Sequence, residues 1–181
     1  SEVIRLAKEQ GLVQLYYGDG KGKTTAVFGL AFRCAGWGRR VVVAQFLKSG
    51  AGGEGKAVER FPEITLLRTK GVNKFTFQMN DDEKAETAEN CLSLFRQAVE
   101  LARQEQARLL VLDEVIDATY GFLPMEELCA FLDGRPEGME VAITGHSLPP
   151  QLAERADYIS HVVKEKHPYD RGVMARKEIE F

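Results

Sequence analysis

YGDGKGKTT, residues 17–25, is the stretch that decides the fold of this chain. It follows the apolar run at residues 12–16, which predicts a buried strand, and it precedes the apolar run at residues 26–33, which predicts a helix. A strand, a glycine-rich turn, Lys-Thr and a helix form the P-loop arrangement, in which backbone N–H groups converge on phosphate oxygens. The helix N-terminus adds about half a positive charge. We therefore predict phosphate binding by this loop.

The loop supplies the candidate phosphate and metal ligands. We expect Lys23 to contact phosphate oxygens and the hydroxyl of Thr24 to bind Mg²⁺. The other candidate ligands in the loop are Gly18, Asp19, Gly20, Lys21, Gly22 and Thr25. The alternative is a glycine-rich turn that binds nothing, and the flanking strand and helix argue against it because they are the context that the motif requires.

The loop departs from the usual pattern G-x-x-x-x-G-K-[ST] at its first position. Counting back from Gly22, the first glycine should fall at position 17, but Tyr17 stands there and Gly18 comes one residue later. The turn is therefore one residue tighter at its start. We expect this shortened cradle to hold the phosphates of a nucleotide in a changed way.

Composition limits the class of protein. A chain of 181 residues suits a single domain over residues 1–181, with residues 1–10 as a possible N-terminal arm or lid. The net charge of −3 predicts no nucleic-acid partner and no membrane surface. Cys34, Cys91 and Cys129 match no metal spacing, so we interpret them as reduced core thiols of a cytoplasmic protein. The first ten residues lack a signal-peptide pattern.

Strand and helix patterns alternate along the chain. We predict an α/β fold with a mainly parallel sheet and helices on both faces, a RecA-like P-loop nucleotide-binding fold. A long helix is expected from Asp81, and a loose, glycine-rich loop is expected at residues 48–55, at an edge where ligands bind in parallel sheets. The other predicted strands lie at residues 41–47, 64–68, 108–112, 141–146 and 158–163, and the short helices at residues 124–132 and 151–156.

A second sharp pattern is the apolar run at residues 109–112 followed by Asp113 and Glu114. In P-loop proteins this is the Walker B position, where carboxylates hold Mg²⁺ or its waters. The pattern is common by chance, but its place downstream of a P-loop favours the metal role. Asp117 is either an auxiliary acid or an exposed helix residue, and we favour the second interpretation.

Aromatic residues are concentrated in residues 71–79, which hold Phe75 and Phe77. The stretch fits no sheet strand before the long helix. Two interpretations are open: a loop whose aromatic side chains pack into the core, or an apolar wall for a large flat ligand.

Several stretches, in order and with similar gaps, resemble the P-loop type of ATP:corrinoid adenosyltransferase over nearly the whole chain. They are the short P-loop, QFLK at residues 45–48, LDE at 112–114, ITG at 143–145, ADYIS at 156–160, KHPYDRG at 166–172, AR at 175–176 and EIEF at 178–181. The resemblance implies transfer of the 5′-deoxyadenosyl group of ATP to the cobalt(I) of cob(I)yrinic acid a,c-diamide or cob(I)alamin. Triphosphate would be released, in adenosylcobalamin biosynthesis or salvage.

The resemblance also implies roles for individual residues. ATP would lie reversed, with its γ-phosphate end in the short loop, and Mg²⁺ on Thr24 and Glu114 or Asp113 would stabilise the triphosphate. Phe75 and Phe77 would form a wall beneath the corrin ring that leaves cobalt(II) four-coordinate, although family members often have Trp in place of Phe77. The further matches, to residues near the nucleotide, are Arg33 and Glu54.

One motif departs from the family. The family commonly has Thr-Gly-Arg where this chain has Thr144-Gly145-His146. His146 is either a pH-dependent substitute for that Arg or a simple loop histidine. His161 is predicted to be structural. The family typically forms homodimers in which the N-terminal segment helps to cover an active site, and it takes electrons from reduced flavins or flavoproteins.

Two other functions are open. The first is a RecA-like ATPase or small-molecule kinase, against which the shifted Gly18 and the pair Phe75 and Phe77 argue. The second is a non-enzymatic sensor of ATP or corrinoid, against which the retained Asp113 and Glu114 argue. The phosphate product separates the three: triphosphate for the transferase, orthophosphate for the ATPase and neither for the sensor.

Overall fold

The computed structural model describes residues 10–48, 52–69 and 78–180. The alternation predicted from the sequence is present there. The strands are β1 (Val13–Tyr17), β2 (Val41–Gln45), β3 (Ile64–Arg68), β4 (Leu109–Asp113), β5 (Glu140–Gly145) and β6 (Tyr158–His161). The helices are α1 (Lys23–Ala35), α2 (Gly53–Val58), α3 (Asp81–Gln104), α4 (Val115–Ala118), α5 (Met125–Asp133) and α6 (Pro150–Ala153), followed by a 3₁₀ turn at Pro168–Arg171.

The six strands form one sheet in the order β3-β2-β4-β5-β1-β6, and each neighbouring pair is parallel. The predicted parallel sheet is therefore confirmed. Strand β5 lies between β1, which leads into the P-loop, and β4, which ends at Asp113. Tyr17 pairs with Gly145, and Gln45 pairs with Asp113. The carboxyl ends of these four strands thus meet at one edge, where ligands bind in open α/β sheets.

The central strands β2 and β4 are buried at all five positions, as expected for strands covered on both faces. Alternate residues of β2 belong to separate cores: Val42 and Ala44 pack with residues of α3, α5 and α6, whereas Val41 and Val43 pack with residues of α1. The predicted helices on both faces are confirmed. Strand β6 forms one edge of the sheet, and all four of its residues are exposed.

The long helix predicted from Asp81 is confirmed, and local chemistry fixes where it begins. The side chain of Asn80 accepts a hydrogen bond of 2.8 Å from the N–H of Glu83, and Glu83 accepts one of 3.0 Å from the N–H of Asn80. This reciprocal capping box satisfies two N–H groups that a helix N-terminus otherwise leaves unpaired. Asp81, Asp82 and Glu83 in the first turn also favour the positive end of the helix dipole.

The prediction of a loose loop over residues 48–55 is wrong at its end, because residues 53–55 form the first turn of α2. Glycines normally weaken a helix, but Gly55 allows a close tertiary contact. A Cβ atom on Gly55 would lie 2.4 Å from Nη2 of Arg68, so glycine lets the guanidinium of Arg68 lie directly against this turn. None of the helices in the described ranges is long and apolar enough to cross a bilayer.

Candidate functional site

The P-loop borders a cavity of about 680 Å³ at the carboxyl edge of the sheet. Residues 20–25 of the loop line it, and α1 begins at Lys23 as the motif predicts. Gly22 has φ of 117° and Gly18 has φ of 124°, both in the region that favours glycine. A Cβ atom on Gly18 would lie 2.2 Å from the carbonyl oxygen of Val162, so the glycine at the shifted position is required by close packing.

Hydrogen bonds to the rest of the protein hold the first half of the loop. The N–H of Gly18 donates to the carbonyl of Gly145 at 3.2 Å, and the N–H of Gly20 donates to the carbonyl of Val162 at 2.9 Å. Oδ1 of Asp19 accepts a bond of 3.0 Å from the N–H of Lys164, which lowers the pKa of Asp19. These three residues therefore act as scaffold for the loop.

The second half of the loop has its donors free. The N–H groups of residues 21–25 have no hydrogen-bond acceptor in the part of the chain that the structure describes. Nζ of Lys23 bends back and donates to the carbonyl of Gly20 at 2.8 Å. Because free N–H groups and a helix N-terminus both attract anions, this half-loop is a compact phosphate cradle.

Asp113 lies at the end of β4 with none of its surface exposed. Its carboxylate accepts hydrogen bonds from the hydroxyls of Thr24 (3.1 Å to Oδ1) and Thr144 (2.8 Å) and from the side-chain amide of Gln45 (3.0 Å). A buried charge needs such partners. Thr24 and Asp113, both predicted to bind Mg²⁺, thus lie within hydrogen-bond distance of each other.

Glu114 follows with φ of 62°, a left-handed conformation that is strained for residues with a side chain. Its N–H donates to the hydroxyl of Thr144 at 2.7 Å. Burial raises the pKa of Glu114, and nearby Lys48 opposes that shift. Strain of this kind is concentrated at functional sites, so the conformation supports a role for Glu114 in the site.

Lys48, for which no role was predicted from the sequence, completes the cluster around Asp113 and Glu114. Its Nζ lies 2.9 Å from Oγ1 of Thr24, 3.3 Å from Oδ2 of Asp113 and 2.9 Å from Oε1 of Glu114. Burial acts to lower the pKa of Lys48, but the carboxylates of Asp113 and Glu114 outweigh it and raise that pKa. The QFLK motif marked the position, but only the pairing of β2 with β4 shows its neighbours.

The cluster has the chemistry of a magnesium site. It offers one hydroxyl and two carboxylates, the oxygen ligands that Mg²⁺ prefers, and the ammonium of Lys48 demonstrates that a cation is stable among them. Within the described ranges, no group of three or more His, Cys, Asp or Glu residues could hold a metal by itself. A metal here would therefore take its remaining ligands from phosphate and water, as Mg²⁺ commonly does.

Other side chains complete the cavity wall. Glu54 lies in the wall, as the resemblance implied, and so do Gln45 and Arg68, which are joined by a bond of 2.8 Å from Nε to Oε1. Ile179 and Glu180 also line it; they belong to the EIEF stretch that resembles the family, but no site role was predicted for them. A hydrogen bond from the side chain of Arg176 lowers the pKa of Glu180 to about 2, so this carboxylate is charged.

His146 also borders the cavity and is paired with Asp117. The N–H of His146 donates to Oδ1 of Asp117 at 3.1 Å, and its ring Nδ1 lies 3.1 Å from Oδ2. The prediction that Asp117 is an exposed helix residue is wrong, since its side chain is only 21% exposed. The pairing holds His146 at the cavity but leaves its role as a substitute for arginine a prediction. His161 stacks on Tyr17 with ring centroids 4.3 Å apart, in agreement with a structural role.

The structure does not bring Arg33 to this cavity. Arg33 lies ten residues after Lys23 on α1, about 15 Å along the helix axis. It lines a different cavity of about 480 Å³ with Trp37 and Arg39. Phe75, Phe77 and residues 1–9 of the proposed arm at residues 1–10 lie outside the described residues.

Comparisons with known proteins agree on one family. The family model described as "ATP:corrinoid adenosyltransferase BtuR/CobO/CobP" matches residues 9–181. The chain is 32% identical to a corrinoid adenosyltransferase of Pseudomonas aeruginosa, covering 99% of this chain and 88% of the relative. It is also 32% identical to the corrinoid adenosyltransferase CobA of Salmonella typhimurium, covering 100% of this chain and 91% of the relative.

Solved structures add evidence on the fold alone. A KaiC-like protein of Pyrococcus horikoshii is similar with a TM-score of 0.53 and 16% identity, covering 88% of this chain and 75% of that one. The cytoplasmic domain of EssC is similar with a TM-score of 0.53 and 15% identity, and the match covers 94% of this chain but only 34% of that one. The predicted RecA-like P-loop fold is confirmed.

Proposed function

The chain belongs to the ATP:corrinoid adenosyltransferase family, a family of transferases, and we propose that it transfers the 5′-deoxyadenosyl group of ATP to the cobalt(I) of a corrinoid and releases triphosphate. The proposed acceptor is cob(I)yrinic acid a,c-diamide or cob(I)alamin, in adenosylcobalamin biosynthesis or salvage. The structural observation that carries the proposal is the hydrogen bonding of the P-loop. The N–H groups of Gly18 and Gly20 are bonded to other segments of the protein, whereas those of residues 21–25 have no acceptor among the described residues.

This division of the loop supports a changed phosphate register. An ordinary P-loop cradles the α- and β-phosphates with a longer run of N–H groups. Here the N–H groups of Gly18 and Gly20 are already used, so the cradle suits one terminal phosphate better than an extended diphosphate. ATP would enter with its γ-phosphate end in the cradle, which leaves the ribose C5′ toward the corrinoid.

The proposed step balances without a protein base. The lone pair of cobalt(I) forms the Co–C5′ bond, the C5′–O5′ bond breaks, and its electron pair leaves on triphosphate. No proton is transferred, so the protein positions the two substrates and stabilises the charge of the leaving group. Triphosphate carries several negative charges, and the cavity presents Lys21, Lys23 and the free N–H groups to it.

A divalent cation fits the same arrangement. Thr24, Asp113 and Glu114 would hold Mg²⁺, because they already surround the ammonium of Lys48 with oxygen atoms. When bound, Mg²⁺ would neutralise part of the charge that develops on the departing triphosphate. The hydroxyl of Thr144 keeps Asp113 oriented toward this position.

The corrinoid side of the reaction rests on the resemblance. Phe75 and Phe77 would form the apolar wall under the corrin ring, excluding a lower axial ligand so that cobalt(II) is reduced more easily. A reduced flavin or flavoprotein would supply the electron. A homodimer, a cytoplasmic location and a lid formed by residues 1–10 complete the proposal.

The test combines a spectrum with product analysis. The protein is mixed with MgATP and cob(II)alamin, reductant is added, and the cobalt product and the released phosphate are identified. We expect a four-coordinate cobalt(II) signal, then adenosylcobalamin and intact triphosphate. Orthophosphate without a cobalt–carbon product would refute the proposal in favour of an ATPase, and no turnover with retained ATP binding would refute it in favour of a sensor. The same assay with cob(II)yrinic acid a,c-diamide compares the two acceptors.

A further inference from the structure

The ammonium of Lys48 occupies the position proposed for the divalent cation, so a metal that binds there must displace it. Its Nζ is within 3.3 Å of oxygen atoms from Thr24, Asp113 and Glu114, the three residues proposed to hold Mg²⁺. A divalent cation bound to the same oxygens would lie within a few ångströms of the ammonium. Two positive charges at that separation repel strongly in a partly buried site.

The backbone directs Lys48 into the cluster. Phe46 is fully buried at the end of β2, and its N–H donates to the carbonyl of Asp113 at 2.9 Å, which ties the two chain segments together. Leu47 then adopts φ of 56°, a conformation that residues with a side chain rarely take. This strained step brings Lys48 back over the strand ends, where its side chain is 35% exposed and also lines the phosphate cavity.

Charge explains why the position is filled. Asp113 is fully buried, and an unpaired carboxylate there would be costly. When no metal is bound, Lys48 supplies the compensating positive charge. Its side chain is partly exposed and flexible, so it can leave when a cation of higher charge binds. The free cavity beside it, lined by the P-loop N–H groups, would then contain anionic phosphate that attracts the displaced ammonium.

We propose that Lys48 is the placeholder cation of the metal site: its ammonium holds Thr24, Asp113 and Glu114 in position until a divalent cation arrives with the nucleotide, and it is then displaced toward the triphosphate. The inference rests on the proposed function for the identity of the metal-nucleotide. Lys48 is then a positioning residue that couples binding of the divalent cation to binding of the nucleotide. A cation that binds without nucleotide must displace the ammonium of Lys48 while no phosphate is present to accept it.

The first measurement is Mn²⁺ binding without nucleotide, followed by electron paramagnetic resonance, for the wild type, Lys48→Met and Lys56→Met. Lys56 is exposed on α2 outside the cavity lining, so its variant controls for loss of one positive charge. We expect Lys48→Met to bind Mn²⁺ at least about tenfold more tightly than both other proteins, since nothing has to be displaced. Equal affinity of the two variants would overturn the proposal.

The second measurement keeps the wild-type side chain, in case Lys48→Met does not fold. The ζ-¹⁵N-lysine ammonium signals are recorded by NMR, and Lys48 is assigned with the charge-conserving Lys48→Arg. Addition of Mg²⁺ with the ATP analogue AMPPNP should shift the Lys48 signal and leave that of Lys56 in place. An unmoved Lys48 signal at saturating ligand would contradict displacement.

Neither measurement contains a corrinoid, so the two proposals fail separately. If Lys48 is displaced but the protein forms no cobalt–carbon bond, the placeholder role is supported and the proposed transferase function is refuted. Adenosyl transfer by a protein whose Lys48 signal does not move would do the reverse.

Discussion

Oγ1 of Thr144 donates a hydrogen bond of 2.8 Å to Oδ1 of Asp113 and accepts one of 2.7 Å from the N–H of Glu114. A single hydroxyl on β5 thus orients both acids at the end of β4. The contact exists because β5 lies between the P-loop strand and the strand that ends at the acids. Thr144 is therefore a structural link between the two halves of the site.

Thr144→Val tests this link with nearly unchanged volume. It removes one hydrogen bond to Asp113 and leaves the N–H of Glu114 without its partner, so we expect the free energy of unfolding to fall by about 1–3 kcal/mol and MgATP affinity to fall about tenfold. Urea denaturation and calorimetric titration measure the two effects. Thr119→Val is the control, because among the described residues its hydroxyl bonds only the carbonyl of Ile116, away from the cavity. Unchanged MgATP affinity in Thr144→Val would refute the link.

Lys23→Ala should abolish ATP-dependent activity. Charge-assisted hydrogen bonds contribute about 1.5–3 kcal/mol, so ATP should bind about 10- to 100-fold more weakly, as measured by calorimetry. Stability should hardly change, because Nζ of Lys23 donates only to the carbonyl of Gly20 within the described chain. Lys84→Ala, at an exposed position of α3, serves as the control. Normal turnover in Lys23→Ala would remove the P-loop from the mechanism.

Glu114→Gly should separate stability from function. The left-handed φ of 62° costs a residue with a side chain roughly 1–2 kcal/mol, and glycine avoids that cost. Glycine also loses more conformational entropy on folding, which offsets part of this gain. We expect the free energy of unfolding at pH 7 to stay equal or rise by up to about 1 kcal/mol, while Mn²⁺ binding with AMPPNP is lost. A clear drop in stability would show that the contacts of the carboxylate outweigh its backbone strain.

Phe77→Ala addresses the proposed corrinoid wall. The variant should bind ATP normally but give less four-coordinate cobalt(II) in its paramagnetic resonance spectrum, because a lower axial ligand can approach the metal. Phe77→Trp, which keeps a flat aromatic side chain, should retain the signal. If both variants give the wild-type spectrum, the assignment of Phe77 to the wall is wrong.

Cys91 provides a pH prediction for the core. Burial on α3 raises the pKa of its thiol to about 11 from an ordinary value of 9.0. The folded state therefore holds this proton more tightly than the unfolded state, so the contribution to stability is present below pH 9 and is lost as the pH rises toward 11. Relative to Cys91→Ala, the wild type should lose up to about 3 kcal/mol across that interval in urea denaturation. A constant difference between the two proteins would contradict the shift.

Features set by short-range spacing could be predicted from the sequence. The P-loop between β1 and α1, the start of α3 at Asp81 and the acids after β4 all depend on neighbouring residues, and the structure has each of them. The start of α2 was missed because the close contact between Gly55 and Arg68 involves distant residues, so its glycines resembled those of a loop.

The composition of the cavity could be predicted only in part. Glu54 reaches it as expected, whereas Arg33, matched to the family by position, lies too far along α1. Lys48 was missed because its partners come from other elements of the fold, α1 and the end of β4, and are more than 20 residues away in the chain. The pairing of His146 with Asp117 likewise depends on how α4 follows β4 beside the end of β5, which no local pattern encodes.

The hydrogen bonds from Lys164 to Asp19 and from Gly20 to Val162, which hold the P-loop, have a consequence for synthesis on the ribosome. The carboxylate of Asp19 and the N–H of Lys164 are separated by 145 residues, and the carbonyl of Val162 is almost as distant from Gly20. A nascent chain that has emerged only through β5 contains every phosphate-binding residue of the loop but lacks these supports. We expect the loop to reach its binding conformation late in translation, and a premature stop before residue 162 to inactivate it without altering a single loop residue.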